Sequence, residues 1–116
     1  MGVNPVVNTD IFNTTFRKGM KLDFYTEKLG GNKTLTIDYP PVVILDPNNS
    51  TRDIILPAEA LSEGLCFFIL NDGAGVEALV VKDDGGSTIL TSAFPENMFL
   101  YCDGVKWRGI LSKGIT

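Results

Sequence analysis

Histidine is absent from this chain, and cysteine occurs only twice. The absence of histidine excludes Ser-His-Asp and Cys-His nucleophile systems, histidine-ligated metal sites and the most common general base. A zinc site without histidine requires four thiolates, so Cys66 and Cys102 do not suffice for one. We therefore expect no metal and no cofactor. An enzyme built on this chain would have to use carboxylates or lysine alone.

Clustered positive charge and long apolar runs are also missing. The net charge is −4 and the sequence pI is about 4.6, with Lys and Arg scattered along the chain. Because a phosphate backbone is held by clustered positive charge, we expect no nucleic-acid partner. No run of about 18 apolar residues predicts a membrane helix. The N-terminus lacks a charged region followed by an apolar run, which predicts synthesis in the cytosol without a signal peptide.

The residues that are present indicate one all-β domain with an N-terminal arm. The chain has 116 residues, of which 44% are hydrophobic, so it has enough apolar surface for a core and is not intrinsically disordered. Beyond residue 32, short runs rich in Val, Ile, Leu, Phe and Thr alternate with turn residues. We predict a small β-sandwich or jelly-roll-like domain over 33–116, with about eight short strands. These are 33–38, 42–46, 52–56, 65–71, 77–82, 88–91, 97–102 and 105–111, with one helical turn within 57–62.

Residues 1–32 are polar and irregular, with widely spaced apolar side chains. We interpret them as an extended arm that becomes ordered by contact with a partner. The alternative is a frayed terminus plus one edge strand. The candidate contact residues of the arm are three aromatic and three basic side chains: Phe12, Phe16, Phe24, Arg17, Lys18 and Lys21.

The last hairpin is the most sharply defined local prediction. Asp103-Gly104 as a two-residue turn would pair Cys102 with Val105 and Leu100 with Trp107. These four residues, Leu100, Cys102, Val105 and Trp107, would then form the core face of the hairpin. On the other face Phe99 and Tyr101 would lie opposite Arg108 and Lys106, as a solvated surface or an interface rim.

Two predicted strands do not alternate between apolar and polar residues. Segments 65–70 and 42–45 are apolar on both faces, whereas one face of a strand in a two-layer domain usually meets water. Such strands are either central and covered or lie at a subunit contact. We expect a homo-oligomer, with a trimer favoured and a dimer possible. Both cysteines fall on strands in apolar settings, which predicts reduced core residues, with a disulfide as the alternative.

Few residues form a pattern that carries chemistry. Asp83 and Asp84 lack the spaced carboxylates of a calcium loop and are better explained as turn formers. The glycine-rich segment 71–75 is followed by no helix and no Lys-Ser/Thr, so it is not a phosphate loop. Glu59 and Glu63 could supply an acid and a base, but exposed charges on a short turn explain them as well. We therefore predict no catalytic residues.

A group of motifs between residues 52 and 110 has a characteristic order. It comprises Ile55-Leu56-Pro57-Ala58, Glu63-Gly64-Leu65-Cys66-Phe67-Phe68-Ile69-Leu70-Asn71, Ala78-Leu79-Val80-Val81, Gly86-Ser87-Thr88-Ile89 and Leu100-Tyr101-Cys102-Asp103-Gly104-Val105-Lys106-Trp107. This order resembles a small β module of tailed-bacteriophage virion proteins, found in capsid decoration (head-stabilising) proteins and in tail-fibre or baseplate proteins. The resemblance covers about half of the chain. It departs from the usual pattern at Arg108, where an aromatic residue is common.

The resemblance implies a structural virion protein. The first expectation is a decoration, or cement, protein on the capsid exterior, which binds the major capsid protein and stabilises the shell. The second is a tail-fibre, tail-tip or baseplate subunit that attaches to host glycans through exposed aromatic residues such as Tyr25, Tyr39 or Tyr101. An enzyme on the same scaffold is a third possibility, disfavoured by the missing histidine.

Overall fold

The computed structural model describes residues 20–113, and this part of the chain is almost entirely β-structure. The prediction of an all-β fold is confirmed, and a single 3₁₀ turn at Glu59–Leu61 is the helical segment within the described range. The nine strands of this range are β1 (Phe24–Lys28), β2 (Lys33–Thr34), β3 (Val42–Asp46), β4 (Arg52–Ile55), β5 (Cys66–Asn71), β6 (Ala78–Lys82), β7 (Thr88–Ala93), β8 (Asn97–Cys102) and β9 (Trp107–Ser112).

The strands form two mixed sheets, and the first six strands alternate between them. The five-stranded sheet has the order β1-β3-β5-β8-β9, and the four-stranded sheet has the order β2-β4-β6-β7. Strands β1, β3 and β5 are parallel to one another, as are β2, β4 and β6. A parallel neighbour requires a crossover connection, and here a strand of the opposite sheet makes that connection. Strand β7 pairs antiparallel with β6 and completes the four-stranded sheet. Strand β8 pairs antiparallel with β5, and β9 with β8, which completes the five-stranded sheet.

One hydrophobic core lies between the two sheets. Alternate residues of each strand point into it, as the period of a half-buried strand requires. The buried members are Leu29, Leu35, Val43, Leu45, Ile54, Leu56, Phe67, Ile69, Leu79, Val81, Met98, Leu100, Cys102 and Trp107. Both cysteines are free thiols, but only Cys102 is buried, because Cys66 lies on the other side of the sheet and is half-buried.

Trp107 closes the core at the beginning of β9. Its ring stacks on Phe67 with centroids 6.0 Å apart, and its indole Nε1 donates a buried hydrogen bond of 2.9 Å to the carbonyl oxygen of Pro57. Pro57 follows the end of β4, where its missing N–H ends strand pairing. The Leu-Pro step and the Trp of the last hairpin, distant in sequence, are therefore joined directly.

The predicted register of the last hairpin is wrong by two residues. Cys102 pairs with Trp107 and Leu100 with Gly109, so the connection has four residues, not two. The Asp103 carboxylate accepts hydrogen bonds from the backbone N–H groups of Val105 and Lys106, which closes the longer loop. A shift of two residues preserves the faces of a strand. Leu100, Cys102 and Trp107 are therefore buried as predicted, whereas Val105 lies in the loop and is 80% exposed.

The shifted register also changes the predicted aromatic–cation face. Tyr101 lies opposite Arg108, but Phe99 lies opposite Ile110 rather than a basic residue. Arg108 donates from Nε to Asp103 at 2.9 Å. Backbone hydrogen bonds from Lys106 and Val105, together with Arg108, lower the pKa of Asp103 to about 2.

The arm is predicted to extend to residue 32, but residues 24–32 are not an extended arm in the structure. Phe24–Lys28 forms β1, the edge strand of the five-stranded sheet, which corresponds to the alternative of one edge strand. Leu29 is 1% exposed and belongs to the core. The predicted strand 33–38 shrinks to Lys33–Thr34, because a turn in which the Tyr39 N–H bonds to Thr36 follows it.

Candidate interaction surface

The outer face of the five-stranded sheet carries an apolar row that crosses all five strands. Pairing in register aligns Phe24 with Val42, Val42 with Phe68, Phe68 with Phe99, and Phe99 with Ile110. The rings of Phe68 and Phe99 are in contact, with centroids 4.9 Å apart. The two ends of the row are open, since Phe24 is 60% and Ile110 67% exposed. We call these five residues the apolar row.

A second line of apolar residues lies beside the apolar row. Ile44 and Leu70 are neighbours on β3 and β5, and both are half-buried. A shallow depression of about 310 Å³ lies beside them between β5, β8 and β9. Its lining, which contains no charged side chain, is Phe68, Leu70, Asn97, Met98, Phe99, Ile110 and Ser112. The non-alternating segments 42–45 and 65–70 therefore supply the centre of one continuous apolar surface.

The outer face of the four-stranded sheet is different. Asp53, Val80 and Thr91 lie side by side across β4, β6 and β7. Beside them, Lys82 donates to Asp53 at 3.1 Å. This mixture of charged, hydroxyl and apolar groups is typical of a solvated sheet face. The contrast identifies the five-stranded sheet as the side of the molecule that is suited to an apolar partner.

The candidate arm residues are only partly within the described range. Phe12, Phe16, Arg17 and Lys18 lie outside it. Lys21 is exposed, and Phe24 forms one end of the apolar row. Met20 and Leu22, which precede Phe24 at alternate positions, are also exposed. Residues 20–23 therefore lead directly into the strand that carries one end of the apolar row.

A polar cluster packs against the core beside β1 and β2. Lys33 forms an ion pair of 2.7 Å with Glu27, and its Nζ lies 5.0 Å from the ring centroid of Tyr25 and 5.1 Å from that of Tyr39. The Tyr25 hydroxyl donates to Glu27 at 2.6 Å. The two rings meet edge to face, with centroids 5.1 Å apart. Tyr25 and Tyr39 also pack against the core that contains Leu29 and Leu35.

The protonation equilibria of this cluster favour the ion pair. Burial lowers the pKa of Lys33, but hydrogen bonds to Glu27, Tyr39 and Tyr25 outweigh this effect and hold it above its ordinary value. Hydrogen bonds from Lys33 and Tyr25 hold the pKa of Glu27 below its ordinary value. The pKa of Tyr25 is raised, chiefly because its hydroxyl is bonded to Glu27.

Glu27→Gln is expected to lower the free energy of unfolding by up to about 1 kcal/mol near neutral pH, since the pair is partly solvated. The depressed pKa of Glu27 means that its contribution is present above its ordinary value of 4.5 and is lost as the pH falls through the lower folded value. The raised pKa of Lys33 means that its contribution is present below 10.5 and is lost as the pH rises through the folded value.

The measurement for this variant is urea unfolding of both proteins between pH 3 and pH 9. The difference between them should be constant from about pH 6 to pH 9 and should shrink in acid. Glu63→Gln, at an exposed position, is the matched control and should show no such difference. A difference for Glu27→Gln that stays the same down to pH 3 would contradict the ionic origin of the effect.

A groove of about 630 Å³ lies at one corner of the same sheet face. The exposed ring of Phe94 stands beside Asn97 and Asp72, so an aromatic face and hydrogen-bonding groups occur together. Of the three tyrosines proposed for glycan binding, Tyr25 and Tyr39 belong to the polar cluster with Lys33. Tyr101 is exposed on β8. No sequence signal predicted the groove, because loop and strand residues from separate segments line it.

The Asp83 carboxylate stabilises the 83–87 turn. Asp83 accepts hydrogen bonds from the backbone N–H groups of Gly85 and Ser87. Between residues 20 and 113, no three His, Cys, Asp or Glu side chains are close enough to hold a metal ion. The helical structure in the same range includes nothing long and apolar enough to cross a membrane.

Comparison with protein-family models, with curated proteins and with solved structures found no match to this chain.

Proposed function

We propose that this chain is a structural virion protein of a tailed bacteriophage, a capsid decoration protein that binds the outer surface of the major capsid protein shell. The observation that carries the proposal is the exposed segment that precedes β1, where Met20, Lys21 and Leu22 offer apolar and basic side chains for contact. Exposed apolar residues that are grouped in this way fit protein–protein contact. The order of the Leu-Pro, Gly-rich and Asp-Gly-x-x-Trp motifs supports the virion context.

The proposed architecture is a β-sandwich with an N-terminal contact arm. Two sheets that share one core support the sandwich, although β1, β3 and β5 pair in parallel, unlike the antiparallel strands of a jelly roll. In this proposal the arm reaches neighbouring capsid subunits through Phe12, Phe16, Arg17, Lys18 and Lys21. Contacts that exist only in the assembled shell stabilise that shell by linkage. The chain would be made in the host cytoplasm and would act on the capsid exterior.

The charge reversals Arg17→Glu, Lys18→Glu and Lys21→Glu, made together in the full chain, are expected to weaken binding to empty capsids at least tenfold. Three ionic contacts of about 0.5–1 kcal/mol each amount to that factor or more. Co-sedimentation with empty capsids of the same phage measures the affinity. Lys106→Glu, in the exposed loop of the last hairpin, is the control and should bind normally. Unchanged binding by the triple variant would remove the arm from the contact, and no binding by the natural chain would reject the decoration role.

The groove beside Phe94 favours one alternative function, a tail-fibre, tail-tip or baseplate subunit that attaches to host glycans. An exposed aromatic ring next to an amide and a carboxylate is suited to stacking on a sugar and bonding to its hydroxyls. Binding of the natural chain to a glycan array, lost in Phe94→Ala, would support this alternative. Capsid binding without any glycan binding would contradict it.

A further inference from the structure

We propose that the apolar row is the contact between two copies of this chain, which pack the outer faces of their five-stranded sheets together about a two-fold axis. This inference goes beyond the capsid role and does not depend on it, because the contact forms in solution without a capsid. It selects the dimer over the trimer and assigns the surface that forms it.

The composition of the outer face indicates that it requires a cover. One face of a strand in a two-layer domain usually meets water, yet the outer positions of β3, β5 and β8 are apolar. Residues 20–113 cover the inner face only, with the four-stranded sheet. The outer face has the composition of a covered face, since Val42, Phe68 and Phe99 occupy positions where the other sheet carries Asp53 and Thr91.

The charge distribution favours a second copy as the occupant. The apolar row contains no charge, so it complements another neutral apolar surface. Charges near its margin occur in pairs of opposite sign, with Lys28 beside Asp46 and Arg108 bound to Asp103. A polyanion or an anionic lipid surface would find no net positive charge there. A two-fold contact instead requires a self-complementary surface, which this face provides.

The proposed two-fold axis runs parallel to β5. Phe68 lies on β5, the central strand, with two row members on each side. A two-fold axis parallel to β5 places Phe68 of one copy opposite Phe68 of the other, and Phe24 of one copy opposite Ile110 of the other. Five strands about 4.8 Å apart and about five residues long give a footprint of roughly 400 Å² per copy. This size corresponds to a weak contact, so the dimer should dissociate on dilution.

Sedimentation equilibrium of the full chain over a wide concentration series tests the proposal. At high concentration the mass should approach twice the 12.6 kDa of one chain. Phe24→Lys and Ile110→Glu should each shift the dissociation constant at least tenfold towards the monomer. Both side chains are exposed, so both variants should fold normally, which circular dichroism verifies. Combining the two substitutions places opposite charges together across the axis and should restore the dimer.

Val105→Lys is the matched control, because Val105 is exposed in a loop outside the apolar row, and this variant should dimerise normally. A natural chain that remains monomeric at every concentration, or that forms a trimer, would overturn the proposal. Single variants that still dimerise would also overturn it, and a double variant that remains monomeric would reject the axis along β5. Loss of the dimer with normal capsid binding would leave the decoration proposal standing. Loss of capsid binding with a normal dimer would leave this proposal standing.

Discussion

Trp107→Ala is expected to lower the free energy of unfolding by about 3–5 kcal/mol, because it removes the bulkiest side chain of the core. The indole ring is buried, stacks on Phe67 and bonds to the carbonyl oxygen of Pro57. Its removal leaves a cavity between the two sheets and an unsatisfied buried carbonyl. Because domains of this kind are stable by roughly 5–15 kcal/mol, the variant should unfold at a much lower urea concentration.

Trp107→Phe separates the two contributions. Phenylalanine retains most of the aromatic packing but has no N–H, so Pro57 loses its donor. We expect a loss of about 1–3 kcal/mol, the cost of leaving a buried polar group unpaired. A Trp107→Phe protein as stable as the natural chain would show that the Trp–Pro contact contributes nothing beyond packing.

Leu29→Ala is expected to lower the free energy of unfolding by about 2–5 kcal/mol. Leu29 lies directly after β1 and is fully buried, and its backbone N–H bonds to Asp46. Removing its branched side chain should create a cavity in the core. Urea unfolding monitored by circular dichroism measures the effect, with the slope of the transition unchanged.

Leu61→Ala is the matched control for this prediction. Leu61 is 70% exposed, so the same chemical change should alter stability by less than about 0.5 kcal/mol. Equal, small effects of the two substitutions would show that residue 29 belongs to an arm rather than to the core. Equal, large effects would contradict the exposed position of Leu61.

Local patterns in the sequence predicted most of the strands. Segments 42–46 and 97–102 match β3 and β8, because runs of β-forming residues between turn residues are sufficient to define them. The order of the strands was not predictable. Parallel pairing of β1 with β3 and of β3 with β5 depends on contacts between distant segments, and no local turn specifies it. The sequence of β1 contains three polar residues among five and no turn that specifies its partner strand. In the sequence, β1 is therefore not distinguishable from part of an arm.

The hairpin shows a different limit. Asp103-Gly104 correctly indicated a turn, but a two-residue loop and a four-residue loop share that signal. The Asp103 side chain decides between them by bonding to two backbone N–H groups, and only the folded loop shows this. The faces of the strands were predictable because the error was an even number of residues.

The candidate surface could be predicted in part. The doubly apolar segments 42–45 and 65–70 indicated a covered or contacting face, and both lie on that face. Phe24 and Ile110 could not be assigned to it, because their place at the ends of the apolar row follows from the register of five strands. The polar cluster of Tyr25, Glu27, Lys33 and Tyr39 was missed because its members come from three separate segments.

The copy number of this chain per phage particle tests the central claim most directly. Quantitative mass spectrometry of purified virions would give its ratio to the major capsid protein. A decoration protein should be present at about one copy per capsid subunit or at another simple large fraction. A few copies to a few dozen would contradict decoration and favour the tail alternative, and absence from the particle would contradict any virion role.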